Sequence, residues 1–345
     1  MKNQEIPKMV SHDGTYETVP LRSDRIAIAV VQTPVRGVDG DNPEPGIRDN
    51  LNYLLETIDK AQNVGGRCDL LCFHEFPLHG FAPWDLKQYL RVSRHPDGPE
   101  FQEIGKKAKQ YNCYIALGCQ MLDDDWPGHT MNTQVLVGPS GKIIARHWKQ
   151  RNMRGMWPGV EQFTTTIYDV YDRYVEMYGQ DAVIPVVQTP LGNIAMSSVQ
   201  REPELFRAMA IKGAEVILRT ATGGFSPLDV AATALYNGVY VAVANQAISP
   251  GSPFFEDSNA GGSAIYGPDG EAMAIAKSPN ETLVTARIPI GAFRARHHQP
   301  TLHPALYMDV LNGYVPRYSP NLFADYQPED LQDAARYLRD KSNWK

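Results

Sequence analysis

Cysteine is scarce in this chain: Cys68, Cys72, Cys113 and Cys119 are its whole complement in 345 residues. So few do not make a disulfide scaffold, and their spacing matches no common zinc pattern. An excess of basic charge is absent too. Lys and Arg number 33 against 39 Asp and Glu, a balance that argues against a nucleic-acid partner. No apolar run approaches the ~20 residues of a membrane span. Met1 to Asp24 lacks the apolar centre of a secretory leader. Phosphate loops, dinucleotide fingerprints and metal motifs are missing as well, so no cofactor and no metal are expected. These absences together predict a reduced, cytoplasmic protein.

What is present alternates strands with helices. A polar arm, residues 1–24, precedes Arg25–Gln32, a short apolar run that reads as a buried strand. Val35–Gly46 reads as a loop, and Leu51, Leu54, Leu55, Ile58 and Ala61 recur at helical spacing before Gly65-Gly66. Strands follow at 69–73 and 114–117 around a helix at 100–111. Two hairpins turn on Gly138-Pro-Ser-Gly141 and Gly267-Pro-Asp-Gly270. Between them, strands at 193–197, 215–219 and 239–244 alternate with helices at 203–213 and 227–238. Thr282–Ile288 is the last strand. Strands apolar on both sides need cover on both sides, which predicts sheet against sheet with helices outside. The body spans 25–296 as one domain with a Tyr-rich insertion at 159–182. A tail, 297–345, ends in a helix-like stretch at 328–339.

Three segments could carry chemistry. Cys72-Phe-His-Glu75 places a carboxylate at a buried strand's end, where open α/β sheets form sites. Its ordinary role would be a paired structural carboxylate. Arg146-His-Trp-Lys149 ends a hairpin strand, and its lysine gains interest only if it faces Glu75. Ile194 to Arg207 runs from strand to turn to helix, and Ser197 and Ser198 could serve a nucleophile or an oxyanion. A serine-rich strand end satisfying its own backbone is the plainer alternative. His74 and His79 flank Glu75 but have no obvious third ligand.

In this order the segments resemble the nitrilase superfamily of carbon–nitrogen hydrolases, aliphatic amidases included. The resemblance runs from about Arg25 to Ile290. It rests on Cys72–Gly80, Met131–Val137 with Gly141–Lys149, Pro203–Arg219, Asn237–Asn245 and Gly261–Gly270. It implies a four-layer α-β-β-α sandwich, a small-molecule substrate and homo-oligomers built on dimers that pack their tails. It also implies a Glu–Lys–Cys triad, with Glu75 as general base and Lys149 as oxyanion stabiliser. In that chemistry the cysteine thiolate attacks a nitrile or amide carbon.

The sequence departs from the pattern twice. The residue six before Pro203 is Ser197, not cysteine, and a count from Gly192 lands nearer Val199. Arg154 stands where many members have a second glutamate. It could neutralise Glu75 or clamp an anion. Arg201 and Lys149 would favour an anionic substrate if they face the pocket, and Trp157 could wall it. The four cysteines are expected to be structural. Three readings stay open. One is an enzyme of altered chemistry on an amide, nitrile or related small carbon–nitrogen substrate, without a cysteine nucleophile. The others are a catalytically inactive pseudoenzyme that binds or scaffolds, and an amidase with Ser197 as nucleophile.

Overall fold

A computed structural model describes residues 13–252 and 259–344. Residues 1–12 of the arm and Lys345 of the tail lie outside them. In chain order the strands are β1 (Ile26–Gln32), β2 (Leu70–Phe73), β3 (Tyr114–Met121), β4 (Met131–Val137), β5 (Ile143–Trp148) and β6 (Val187–Thr189). There follow β7 (Gly192–Ser197), β8 (Val216–Thr220), β9 (Tyr240–Ala244), β10 (Ala264–Tyr266), β11 (Ala272–Ile275) and β12 (Thr282–Ile288). The helices are α1 (Pro43–Asn63), α2 (Leu86–Val92), α3 (Pro99–Tyr111), α4 (Tyr171–Tyr178), α5 (Pro203–Ile211), α6 (Pro227–Asn237), α7 (Ile290–Arg294), α8 (Met308–Gly313) and α9 (Leu331–Arg339).

The described strands form two six-stranded sheets, ordered β12-β1-β2-β3-β4-β5 and β11-β10-β9-β8-β7-β6. In each, three parallel strands lie at the centre and antiparallel partners flank them. Side-chain alternation builds the layers. Ile26, Ile28 and Val30 of β1 face the second sheet and meet Met196, Leu218 and Ala242. Ala29 and Val31 face the other way, onto Leu54, Ile58 and Ile104 of α1 and α3. On the far side Ala195, Ile217 and Val241 pack on α5 and α6 through Phe206, Met209 and Val230. This is the four-layer α-β-β-α sandwich.

The loop expected at Val35–Gly46 is helical from Pro43. Proline is tolerated in a first helical turn, where its missing N–H costs no bond. The insertion at 159–182 covers the ends of β4 and β5. Tyr174 packs edge-on to Trp148, their ring centroids 5.1 Å apart, beside Trp126 and Ile167.

Two segments outside the expected body, the arm and the tail, are fastened to it. In the described part of the arm, Tyr16 donates to Glu215 Oε1 at 3.0 Å, and Arg294 grips the same carboxylate at 2.7 and 2.6 Å. Residues 318–344 fold back on their own chain, where Leu322, Phe323, Ala334 and Leu338 join Trp84, Tyr89 and Phe163 in one cluster. Between 304 and 315 the tail stands out, with Leu306, Val310, Tyr314 and Val315 exposed.

Candidate active site

Glu75 lies just past β2, and Lys149 just past β5. Lys149 Nζ donates to Glu75 Oε1 at 3.3 Å, and both residues are buried. Asn132 of β4 donates to the same oxygen at 2.5 Å. On β4 the inward positions read Asn132, Gln134 and Leu136, so two amides continue the apolar face toward the site. Gln134 Nε2 donates to Asn132 Oδ1, and its Oε1 accepts from Thr220 at the end of β8. A polar seam therefore joins the sheets at this end.

The turn carrying Glu75 rests on Gly118 of β3. A Cβ there would lie 2.3 Å from Glu75 O and 2.6 Å from its Cα. Gly118→Ala is therefore expected to push the glutamate backbone outward and to cost about 1–3 kcal/mol, the usual toll of overpacking. Urea unfolding measures it, and a wild-type midpoint would show that the turn yields freely.

Ser197 is the last residue of β7 and is buried. Its Oγ donates to Gln150 Oε1 at 2.9 Å and accepts the Val199 N–H at 3.1 Å. Among the described residues no hydrogen bond joins it to Glu75 or Lys149. It meets the lysine segment one residue on, at Gln150. Ser198 Oγ is buried, with no hydrogen-bond partner among the described residues. Arg201 adopts a φ of 55°, the left-handed turn after the strand, and is exposed, with its N–H on Asp229. Arg219, fully buried on β8, staples this turn from beneath through Val199 O, Gln200 Oε1 and Asp229.

Arg154 does not reach Glu75. It pairs with Asp169 at 2.6 Å, donates to Gln162 O at 2.6 Å and lies over the Phe323 ring. Paired there, Arg154 is not the group that neutralises Glu75, whose cation is Lys149. Trp157 is 47 % exposed and bridges to Val160.

Cys72 points into the layer between the sheets, where burial pushes its thiol up to about 12. Cys68, Cys113 and Cys119 pack between the first sheet and its helices, and burial raises each of their thiols. Cys119 lies within β3, which runs on to Met121, past the expected end of the strand at Leu117.

Lys149 and Asn132 line a cavity of about 10 Å³, closed by Phe76, Tyr89, Phe163 and Leu331. That is room for about one water. Leu331 comes from α9, and its carbonyl holds the Glu161 N–H of the insertion. Sequence reasoning missed Asn132, Gln150, Arg219 and Leu331. For Asn132 a signal existed: amides on the inward face of an apolar strand. Among the described residues no group of three His, Cys, Asp or Glu could hold a metal ion.

Residues 27–297 match the profile described as carbon-nitrogen hydrolase. The chain belongs to the carbon–nitrogen hydrolase family. A deaminated glutathione amidase of Yersinia enterocolitica is 30% identical over 131 residues, 36% of this chain and 42% of that one. A bifunctional nitrilase/nitrile hydratase of Lupinus angustifolius is 26% identical over 228 residues, 60% of each chain. The matches thus span less than two thirds of these family relatives. Among solved structures, an amidase from Nesterenkonia sp. AN1 with its cysteine mutated to alanine superposes with a TM-score of 0.60. It is 18% identical and covered over 97% of its length, against 83% of this chain. That likeness establishes the hydrolase fold in this chain.

Proposed function

We propose that this chain is a carbon–nitrogen hydrolase-family protein that has given up thiol-dependent hydrolysis. Glu75 and Lys149 persist in it as a buried structural ion pair, in a pseudoenzyme with a binding or scaffolding role. The observation that carries this reading is the state of Ser197. Its hydroxyl proton goes to the Gln150 carboxamide, which is no base, and its lone pair takes the Val199 N–H. A hydroxyl needs a positioned base to attack. The space before Lys149 supports the same reading, since a cavity of about 10 Å³ admits no amide.

The test is ammonia release from a panel of short amides, nitriles and carbamoyl compounds. No turnover above background is expected from the wild type. Turnover that Glu75→Gln abolishes would sink the reading.

One observation favours a second reading, a serine-nucleophile enzyme. Ser197 and Lys149 sit at neighbouring strand ends, bridged by Gln150, and an ammonium beside an oxyanion site is catalytic equipment. On that reading Ser197→Ala silences the wild-type turnover and Ser197→Cys raises it. Dimer-based packing of the tail belongs with either reading, supported by the exposed apolar residues between 304 and 315. No described helix is long and apolar enough to cross a membrane.

A further inference from the structure

The cavity before Lys149 has an outer wall that comes partly from outside the sandwich. Most of its lining is buried, and the partly exposed members are Phe81, Gln162 and Leu331. Leu331 is the first residue of α9, in the tail. Tyr89 and Phe163, which line the cavity, also share a cluster with Ala334 and Leu338 of α9. The tail thus lies across the site's own walls, and about 10 Å³ is the room left with the tail in place.

The attachment of this segment is separable from the fold. Its cluster is distinct from the three that build the sandwich layers, and satellite clusters open more readily than the core beneath them. Hydrogen bonds tie residues 327–331 to the body. The Leu86 N–H donates to Glu329 O at 2.7 Å, and the Glu161 N–H to Leu331 O at 2.9 Å. Gln327 Nε2 donates to Phe163 O at 2.9 Å, and Thr165 Oγ1 to Gln327 Oε1 at 3.3 Å. Among the described residues no ion pair reaches from 327–339 to the body; Arg336 and Asp333 pair within α9. Tyr326 belongs with the helix, its hydroxyl on Asp333 at 2.6 Å and its ring stacked on Tyr337. Residues 321–323 are pinned separately, Asn321 N–H to Tyr168 O and Phe323 N–H to Asp169 O. Between the two units Ala324 and Asp325 are exposed, a place for the chain to bend.

We propose that residues 326–339 form an autoinhibitory cap that moves as a unit about Ala324 and Asp325. Closed, it occupies the approach to Glu75 and Lys149 with Leu331. Open, it admits a ligand while the sandwich stays folded. The inference rests on the binding role proposed above, since a cavity of this size holds no ligand until its wall moves, and it names what controls access.

The experiment is native-state hydrogen exchange of the full chain across a urea series, joined to alkylation of Thr164→Cys by iodoacetamide. Thr164 lines the cavity, is buried, and makes no hydrogen bond through its hydroxyl among the described residues, so the change is mild. The amides of α9, Leu86 and Glu161 are expected to exchange together with a shallow urea dependence, and the introduced thiol to react in step with them. The amides of β1 and β8 and the Cys72 thiol should follow global unfolding, with a steep dependence. Leu338→Ala should raise all four cap readouts about tenfold or more. Ile217→Val, in the core under α5 and α6, should quicken the strands and leave the cap readouts unchanged. Cap readouts that follow Ile217→Val, or that show the urea slope of β8, would mean that the tail opens only with the whole fold and would overturn the proposal. So would an introduced thiol that reacts at the rate of an exposed one while α9 stays protected. No readout uses turnover, so failure here and failure in the ammonia assay are distinguishable.

Discussion

Lys149→Met is expected to lower the unfolding free energy by about 3–5 kcal/mol, with or without any ligand present. The substitution keeps most of the side chain's length and removes its charge. Glu75 then remains buried, with Asn132 as its one donor among the described residues. A desolvated carboxylate without its cation is among the few single-site defects of that size. Adding Glu75→Gln should recover much of the loss, because a neutral amide tolerates the dry site. Double-mutant unfolding in urea measures the coupling. A lysine kept only for chemistry would behave otherwise: Lys149→Met would leave the midpoint near wild type. The cycle therefore speaks to the structural role of the pair independently of any substrate.

Acid is expected to destabilise the fold steeply between about pH 6.5 and pH 4. His74, His79 and His147 are fully buried, and desolvation by that burial holds them down, to about 3, about 4 and about 4. Their neutral forms are built into the backbone. His79 donates from Nδ1 to Gly80 O and accepts the Gln120 N–H on Nε2, and His147 Nδ1 accepts the Met196 N–H. The folded pKa lies below the unfolded value near 6.5, so the unfolded chain binds the extra protons. Stability is full above pH 6.5 and falls as pH drops, until the folded values are reached. Three such groups give a slope of about 3–4 kcal/mol per pH unit from pH 6 to pH 5. His147→Gln should flatten it by roughly a third. A stability that stays level from pH 7 to pH 5 would show that these rings are protonated in the folded state.

The sequence made the sandwich legible because its strands are short, β-branched and separated by helical spacing. Thr282–Ile288 matched residue for residue, and the parallel centre of the second sheet followed from the strand–helix alternation. What stayed hidden has a common cause. α2 is seven residues long, and its legible mark is local: the capping box of Asp85 and Gln88. β6, at three residues, is too short for alternation to register.

At the site, strand-end position and the family resemblance pointed to Glu75 and Lys149. Their partners did not follow. Asn132 approaches from 57 residues away, and Arg154, for which neutralising Glu75 was one of two open uses, is paired with Asp169. Leu331 reaches the site from the far end of the chain. Local pattern reveals which side chains must be buried, and it carries no information on which distant group will satisfy them.

The seam Thr220–Gln134–Asn132–Glu75 bears on how the two sheets know their alignment. Between them lies apolar surface, whose attraction is the same for many sideways displacements. Directional bonds are not so tolerant. Sliding one sheet past the other by a single strand spacing, about 4.8 Å, would part Thr220 from Gln134 and disturb the amide that steadies Asn132. The oily layer sets how near the sheets lie. The chain of amides selects one alignment from the many the oil would accept.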